Sequence, residues 1–399
     1  MAALPGRLGP GLFRRSHRCL SGVARTAGCL RRRDSTLEQR RPVHAMNLPA
    51  IPRLKLNPHR HYVAELRRRL PAHIFEPVPQ RALWMIAYGA AAVAGIATVA
   101  FAPIPAYVAL PIAAFIGVAF SALELLGHEI VHGAVIRRPW LRDLLAGICF
   151  LPVAVSPMMW RLWHNLEHHG NTQIHEKDPD AYSTFDEYLR RPGLRLLHRI
   201  VPVRSILFFV LLSAWFTVHS LTSLRRTLAD RYPRPIKARV VAETALGMAF
   251  WAALAWLMGW DRFAYAFVIP LLVNNFIVMS MIATNHLLNP LLEEDDPLAG
   301  SLSLRMPKLL NVIFSNFSHH TEHHVFPAMS ARFLPHVRQM IKHVWPDRYH
   351  ELPYLTALGL LWKTPRLYLD NVRVIDPATG QRYGVLGHGL DPQRVAPLE

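Results

Sequence analysis

The chain has 399 residues, of which 51% are hydrophobic and only 18% charged, below the roughly 25% charged share of soluble domains. The shortfall is concentrated in uncharged runs of about twenty residues, which excludes an ordinary soluble enzyme. Net charge is +18, from 45 Lys or Arg against 27 Asp or Glu; arginines beside apolar runs mark the cytoplasmic loops of a membrane protein rather than a nucleic-acid surface. Three cysteines, Cys19, Cys29 and Cys149, exclude a disulfide framework, a Cys-rich zinc site and a built-in iron–sulfur centre.

In chain order, residues 1–45 carry ten Arg against Asp34 and Glu38 and are expected to be a basic disordered tail, although their composition also resembles a mitochondrial transit peptide. Residues 46–82, rich in Pro and Arg, read as a cytoplasmic segment ahead of the membrane. Residues 83–102 carry no charge and 103–126 only Glu124. Each is long enough to span a hydrocarbon core of about 30 Å, and the Pro103-Ile104-Pro105 break joins them as a hairpin. Residues 144–155 are apolar but short, and 205–222 are borderline. Residues 240–260 and 264–284 suffice, with a turn at Trp260-Asp261-Arg262 between them.

Histidine-rich clusters follow the first hairpin, follow the 264–284 run and recur downstream. One site built from all of them must face one compartment. The 223–239 loop, with six Lys or Arg against Asp230, belongs to the cytoplasm by the positive-inside rule. The expected fold is therefore an all-α membrane protein with four transmembrane helices in two hairpins, about 83–102, 103–126, 240–260 and 264–284. Residues 205–222 then lie at the interface, and a cytoplasmic helical cap holds the histidines. The membrane domain covers 83–345, and 346–399 read as a cytoplasmic tail. The expected location is a bacterial inner membrane with the site facing the cytoplasm.

The clusters are His128-Glu129-Ile130-Val131-His132, His164-Asn165-Leu166-Glu167-His168-His169 and His320-Thr321-Glu322-His323-His324, with His286 at the end of the last span. On a helix His128 and His132, four residues apart, share a face. Adjacent histidines point about 100° apart, so 168/169 and 323/324 can feed two centres. Imidazole does not select one metal, but eight or nine are too many for one ion, and two redox-active irons suit the number better than structural or catalytic zinc. Glu129, Glu167 and Glu322 read as carboxylates that orient ligating rings, as does the intramembrane Glu124 one turn before His128. Asn285, beside His286, is a candidate to hold a metal-bound water. His319 falls outside the spacing. The first cluster also matches HExxH, the zinc-peptidase pattern, which would leave the other two without a role. Trp160 and Trp163 read first as interfacial aromatics and second as walls of a substrate tunnel.

At these residues the chain resembles the membrane fatty acid desaturase family, whose pattern is HxxxH, HxxHH or HxxxHH, and HxxHH. Gly133, Asn171-Thr172, Asp178-Pro179-Asp180 and Val325-Phe326-Pro327 agree with it as flanking residues, and the likeness covers about residues 83–345. It implies a di-iron centre held by His128, His132, His164, His168, His169, His320, His323 and His324, with His286 at the additional ligand position. It implies O2 as co-substrate and a double bond introduced into the acyl chain of a fatty acid or lipid. Lipid, alkane or carotenoid hydroxylases and ketolases share the design. The second cluster has one residue more before its His-His pair than the commonest desaturase form. With no ferredoxin or haem segment in the chain, the implied partners are the bilayer, an acyl-chain substrate and a separate donor, a ferredoxin or a b-type cytochrome with its reductase. Nucleic acid is not expected.

Overall fold

The structure, a computed structural model, describes residues 54–398. The expectations for residues 1–45 and for the start of the 46–82 segment lie outside the described residues. The described residues belong to one compact unit.

Helix α1 (His59–Arg69) buries Tyr62 and Leu66 and precedes α2 (Trp84–Phe101) and α3 (Ala106–Val131). Two prolines make the break between α2 and α3, because Pro105 is held extended at the start of α3 and restricts the residue before it. Next come α4 (Pro139–Phe150) and α5 (Pro157–Trp160), which Ser156 caps and which runs on as a π-helix, Arg161–His168. Helices α6 (Phe185–Arg190) and α7 (Pro192–Ile200) lead to the long α8 (Leu207–Ala229) and α9 (Arg234–Met258). A short α10 (Trp260–Phe263) and a π turn continue into α11 (Ile269–His286).

Among the described residues, five helices are long and apolar enough to cross a membrane: Pro79–Phe101, Ala106–Val131, Leu207–Ala229, Arg234–Met258 and Trp260–His286. The segment Pro139–Val153 with Pro157–His168 adds a sixth only if its 98° bend belongs to one span. The addition to the four expected is Leu207–Ala229. Its apolar run ends before Arg225 and Arg226, but the helix continues through them and so reaches spanning length.

The Ala106–Val131 and Trp260–His286 spans are 50% buried in protein and the other three 22%, so α3 and α11 make the centre. Their crossing is close at Gly117, where a Cβ would stand 2.6 Å from the Val273 Cβ and 2.8 Å from the Pro270 carbonyl. Small residues at such crossings let helix backbones approach in lipid. Gly127 does the same between α3 and α4, facing Cys149 and Phe150.

Beyond α11, α12 (Pro297–Gly300), β1 (Ser303–Arg305), α13 (Lys308–Ile313), α14 (His320–Val325) and α15 (Leu334–Val344) build the cap. Strand β2 (Glu351–Pro353) pairs parallel with β1 and leads into α16 (Tyr354–Lys363). A separate apolar core joins Tyr62 and Leu66 of α1 to Val325, Val337 and Ile341 of α14 and α15. The segment read as a tail carries β3 (Leu367–Tyr368), β4 (Arg373–Ile375) and β5 (Arg382–Gly384), an antiparallel sheet. Bonds from Leu386 N–H to the Leu288 carbonyl and from Leu291 N–H to the Asn371 carbonyl tie it to the chain just after α11.

Candidate metal centre

Four elements deliver the nine imidazoles to one place. The end of α3 carries His128 and His132, the π-helix His164 and His168 with His169 at its cap, α11 ends on His286, and α14 carries His320, His323 and His324. Two groups result. His128, His132, His164, His169 and His323 bring their ligand atoms within 4.8 Å of one another, and so do His168, His286, His320 and His324. The neighbours 168/169 and 323/324 divide between the groups, the consequence of their angular offset on a helix. His319 belongs to neither.

The π-helix absorbs the extra residue of the second cluster. The His169 N–H donates to the His164 carbonyl five residues back, a wider turn than the α-helical one and one often found at functional sites. It leaves the Nε2 atoms of His164 and His169 3.2 Å apart.

Hydrogen bonding alone does not account for so many convergent nitrogens. The Nε2–Nε2 separations are 2.9 Å for His128–His164, 3.1 Å for His169–His323, 2.7 Å for His286–His320 and 3.1 Å for His320–His324. A neutral imidazole has one N–H, and some of these are already committed elsewhere. His286 Nδ1 faces the Gly300 carbonyl at 3.2 Å, an acceptor only, so Nδ1 donates and Nε2 turns a lone pair into the group. His168 Nδ1 meets the Asp178 carboxylate at 2.9 Å, which also leaves Nε2 facing the group. Burial lowers this ring, but the Asp178 and Asp180 charges outweigh it and raise it to about 9, so it carries a proton that a metal ion would displace. Buried His132 Nε2 lacks a partner altogether. Burial, helped by neighbouring rings, holds His164, His169, His320, His323 and His324 well below the ordinary imidazole range, hence neutral. Neutral rings with convergent lone pairs are a ligand set for metal ions, and the residues present fit two of them.

The carboxylates within the histidine clusters face elsewhere. Glu129 accepts from Arg81 Nε at 2.7 Å, Ser330 Oγ at 2.8 Å and the Ala331 N–H at 2.9 Å. With both oxygens engaged it does not serve as the base of a zinc peptidase. Glu322 accepts from Ser303 Oγ at 2.6 Å and Tyr349 OH at 2.5 Å, which fixes α14 to β1; burial lifts it to about 7 against the pull of those bonds. Glu167 accepts from Tyr232 OH at 2.9 Å. Glu124 receives Asn274 Nδ2 at 2.8 Å rather than a histidine, and its second oxygen is unpartnered. It lines a small cavity with His128, His164, His168, His286 and His320. Both side-chain atoms of Asn285 are buried without a partner.

The ring-orienting partners are instead Asp178, the Gly300 carbonyl and Thr172, whose Oγ1 lies 3.1 Å from His324 Nδ1. Sequence reasoning missed them as such. Asp178 stood in view within the Asp-Pro-Asp segment, ten residues after His168, but a loop contact leaves no periodic signal. Asp180, held low by His168 and His219 despite its burial, accepts from Trp163 Nε1 at 2.9 Å and His219 Nε2 at 2.8 Å. Trp160 and Trp163 are buried, 3% and 4% exposed, and so are no interfacial belt: the bend after α4 folds them inward, against the histidine groups.

A larger cavity of about 140 Å³ lies beside the small one, walled by Phe208, Leu212, Phe216 and Met279. Trp163, Asp180, Ile282 and His286 line both. An apolar space therefore runs up to the histidines.

Comparison with known proteins gives the same direction. A sequence model described as fatty acid desaturase matches residues 104–356. The chain is 22% identical to a chloroplastic omega-6 fatty acid desaturase of Spinacia oleracea, over 77% of this chain and 68% of that one. It is 24% identical to an sn-1 oleoyl-lipid 12-desaturase of Synechocystis, over 80% and 90%. To an sn-1 acyl-lipid omega-3 desaturase (ferredoxin) of the same organism it is 28% identical, over 71% and 81%. Since the match spans the helices that carry all nine histidines, the chain belongs to the fatty acid desaturase family, membrane oxidoreductases acting on fatty acids.

Proposed function

We propose that this protein introduces a double bond into the acyl chain of a fatty acid or lipid, using O2 and two iron ions held by its nine histidines. The observation that carries the reading is the apolar cavity that shares His286 and Trp163 with the space beneath both histidine groups. When bound, the two irons would supply, with O2 and electrons from a separate donor, the oxidising power to remove hydrogen from an unactivated methylene.

The chain's own residues do the positioning. His128, His132, His164, His169 and His323 would hold one ion and His168, His286, His320 and His324 the other. Asp178, Thr172 and the Gly300 carbonyl fix the orientation of three of these rings. Phe208, Leu212, Phe216 and Met279 would clasp the methylenes and keep water out. Glu124, hydrogen-bonded through one oxygen only, faces the same small cavity and has an oxygen free to exchange a proton or anchor a water there.

The protein is multi-pass, and we read four of its five candidate spans as crossing, with α8 lying along the interface and the site in the cytoplasm. The donor is read as a ferredoxin or b-type cytochrome; one relative's name specifies ferredoxin. Expression in a bacterial host and gas chromatography–mass spectrometry of its fatty acids tests the activity. New monounsaturated or polyunsaturated chains are expected, and they should vanish in His164→Ala. Hydroxylated chains with no new alkene would replace this reading by hydroxylation on the same site.

A further inference from the structure

Arg366, only 9% exposed, also lines the large cavity. Its guanidinium donates to the Thr364 carbonyl and hydroxyl and to the Leu287 carbonyl at the end of α11. Three of its five N–H groups are thereby used. No carboxylate among the described residues forms an ion pair with it; Tyr368 and Tyr182 are the polar neighbours that favour its charge. Burial draws it down to about 10, so it keeps its charge at neutral pH. A buried cation without an anion is costly to maintain. Capping α11 asks for one donor and no charge, so the cap alone does not explain an arginine here.

The surroundings point to a ligand. Asp180, the one acid lining the cavity, is already engaged by Trp163 and His219. Arg204 lines the same cavity and is exposed. Its backbone is left-handed, with φ +67°, a conformation that residues other than Gly, Asn and Asp rarely adopt. It is pinned there by its N–H on the Trp362 carbonyl at 3.0 Å and by the Trp362 indole on the Ser205 carbonyl at 3.2 Å. Strained backbone of this kind collects where a ligand is clamped.

We propose that Arg366, with Arg204 at the mouth, holds an oxyanion carried by the acyl substrate, a phosphodiester or a carboxylate, with the acyl chain passing from there toward His286. The assignment rests on reading the cavity as the acyl site and adds the chemical class of its headgroup. Arginine suits that role because its planar fork matches both oxyanions.

Binding to the purified full-length protein in neutral detergent, followed by native mass spectrometry, tests this without turnover. The probes are dioleoyl-phosphatidylglycerol, oleate, oleoyl-CoA and uncharged dioleoylglycerol. Wild type should bind at least one anionic probe ten or more times tighter than dioleoylglycerol. R366Q should abolish that preference while dioleoylglycerol binding stays within twofold, R366K should keep part of it, and R204Q should weaken it about threefold. The probe most affected identifies the source: complex lipid, free acid or thioester. Equal wild-type affinity for charged and uncharged probes overturns the proposal without any variant. A parallel loss of all four probes in R366Q, with R204Q unaffected, also overturns it and leaves Arg366 a helix cap. If R366Q does not fold, the wild-type preference and R204Q decide. Failure to find unsaturated products would sink the desaturase reading and leave these binding results standing.

Discussion

What a ligating imidazole's second nitrogen meets decides where its first one points, and that is where residue-scale reasoning from sequence ran short. The nine histidines were legible because three dense clusters and a span-end histidine have helical spacing. Their supports were not, because the acids adjacent in sequence lie about 100° around the helix from the rings they neighbour. Glu129 beside His128 thus turns to Arg81 while Asp178, remote in sequence, reaches His168. The two roles separate experimentally. Asp178→Ala should weaken iron binding about 10–100-fold, as loss of a ligand's support typically does, measured by iron titration of the apoprotein. Glu129→Ala should instead leave Arg81 unpaired and cost about 3–5 kcal/mol of stability, seen as a lowered Tm with iron per folded chain unchanged. Loss of iron at full stability in Glu129→Ala would place Glu129 at the metal after all. His286 can be examined the same way. Its Nδ1 bond to Gly300 aims Nε2 at His320, so His286→Ala should lower iron content and abolish product, and Asn285→Ala should be milder. Wild-type iron and turnover in both would reduce the ligand set to eight.

At the scale of elements, the apolar runs located α2, α3, α9 and α11 with ends up to six residues out, because lipid demands long uncharged helices whatever else the protein does. What they did not reveal was the π-helix. Helical spacing was read at 3.6 residues per turn, and the additional residue of the second cluster looked like a departure from the common pattern. The structure makes it a wider turn with His164 and His169 five apart on one side. Leu166, exposed on the outer surface, is the residue to remove. Deleting it converts the cluster to HxxHH, and an α-helical turn should then bring the same histidines together. The deletion variant is expected to keep about two irons per chain by metal analysis, whereas inserting an alanine after Leu166 should lose them. Loss of iron in the deletion as well would show that this site depends on the π geometry. Gly117 is a second element-scale test. A Cβ there meets the Val273 side chain and the Pro270 carbonyl on α11, so Gly117→Leu should force α3 and α11 apart, with His128 and His286 moving with them. Iron content and Tm should fall together.

For the whole molecule, the question is how many candidate spans cross. Histidines before residue 170 and His286 share one centre, yet three long apolar helices lie between them. An odd number of full crossings would separate them, so one of the three should not cross. The contacts at its ends favour α8. Before it, the Arg204–Ser205 backbone is bonded to Trp362, close to Arg366 and the end of α11; after it, Tyr232 bonds Glu167 of the histidine-bearing π-helix. The first half of α9 is tied to the head of α5 through Glu243, which accepts from Ser156 Oγ and the Met158 N–H. A helix held at both ends beside the histidine groups is expected to lie across the protein rather than through the bilayer, which would keep the arginines of its last turns in water. Hydropathy alone cannot distinguish these cases, since an interfacial helix of 23 residues and a spanning one look alike in composition. Single cysteines at the exposed positions Arg199, Arg231 and Asp261, in a chain whose native cysteines are replaced by serine, separate them. A membrane-impermeant maleimide should label Arg199→Cys and Arg231→Cys from the same side, and Asp261→Cys only from the other. Labelling of Arg199→Cys and Arg231→Cys from opposite sides would make α8 a true span, and α9 or α11 would then have to turn back within the membrane for His286 to reach the centre.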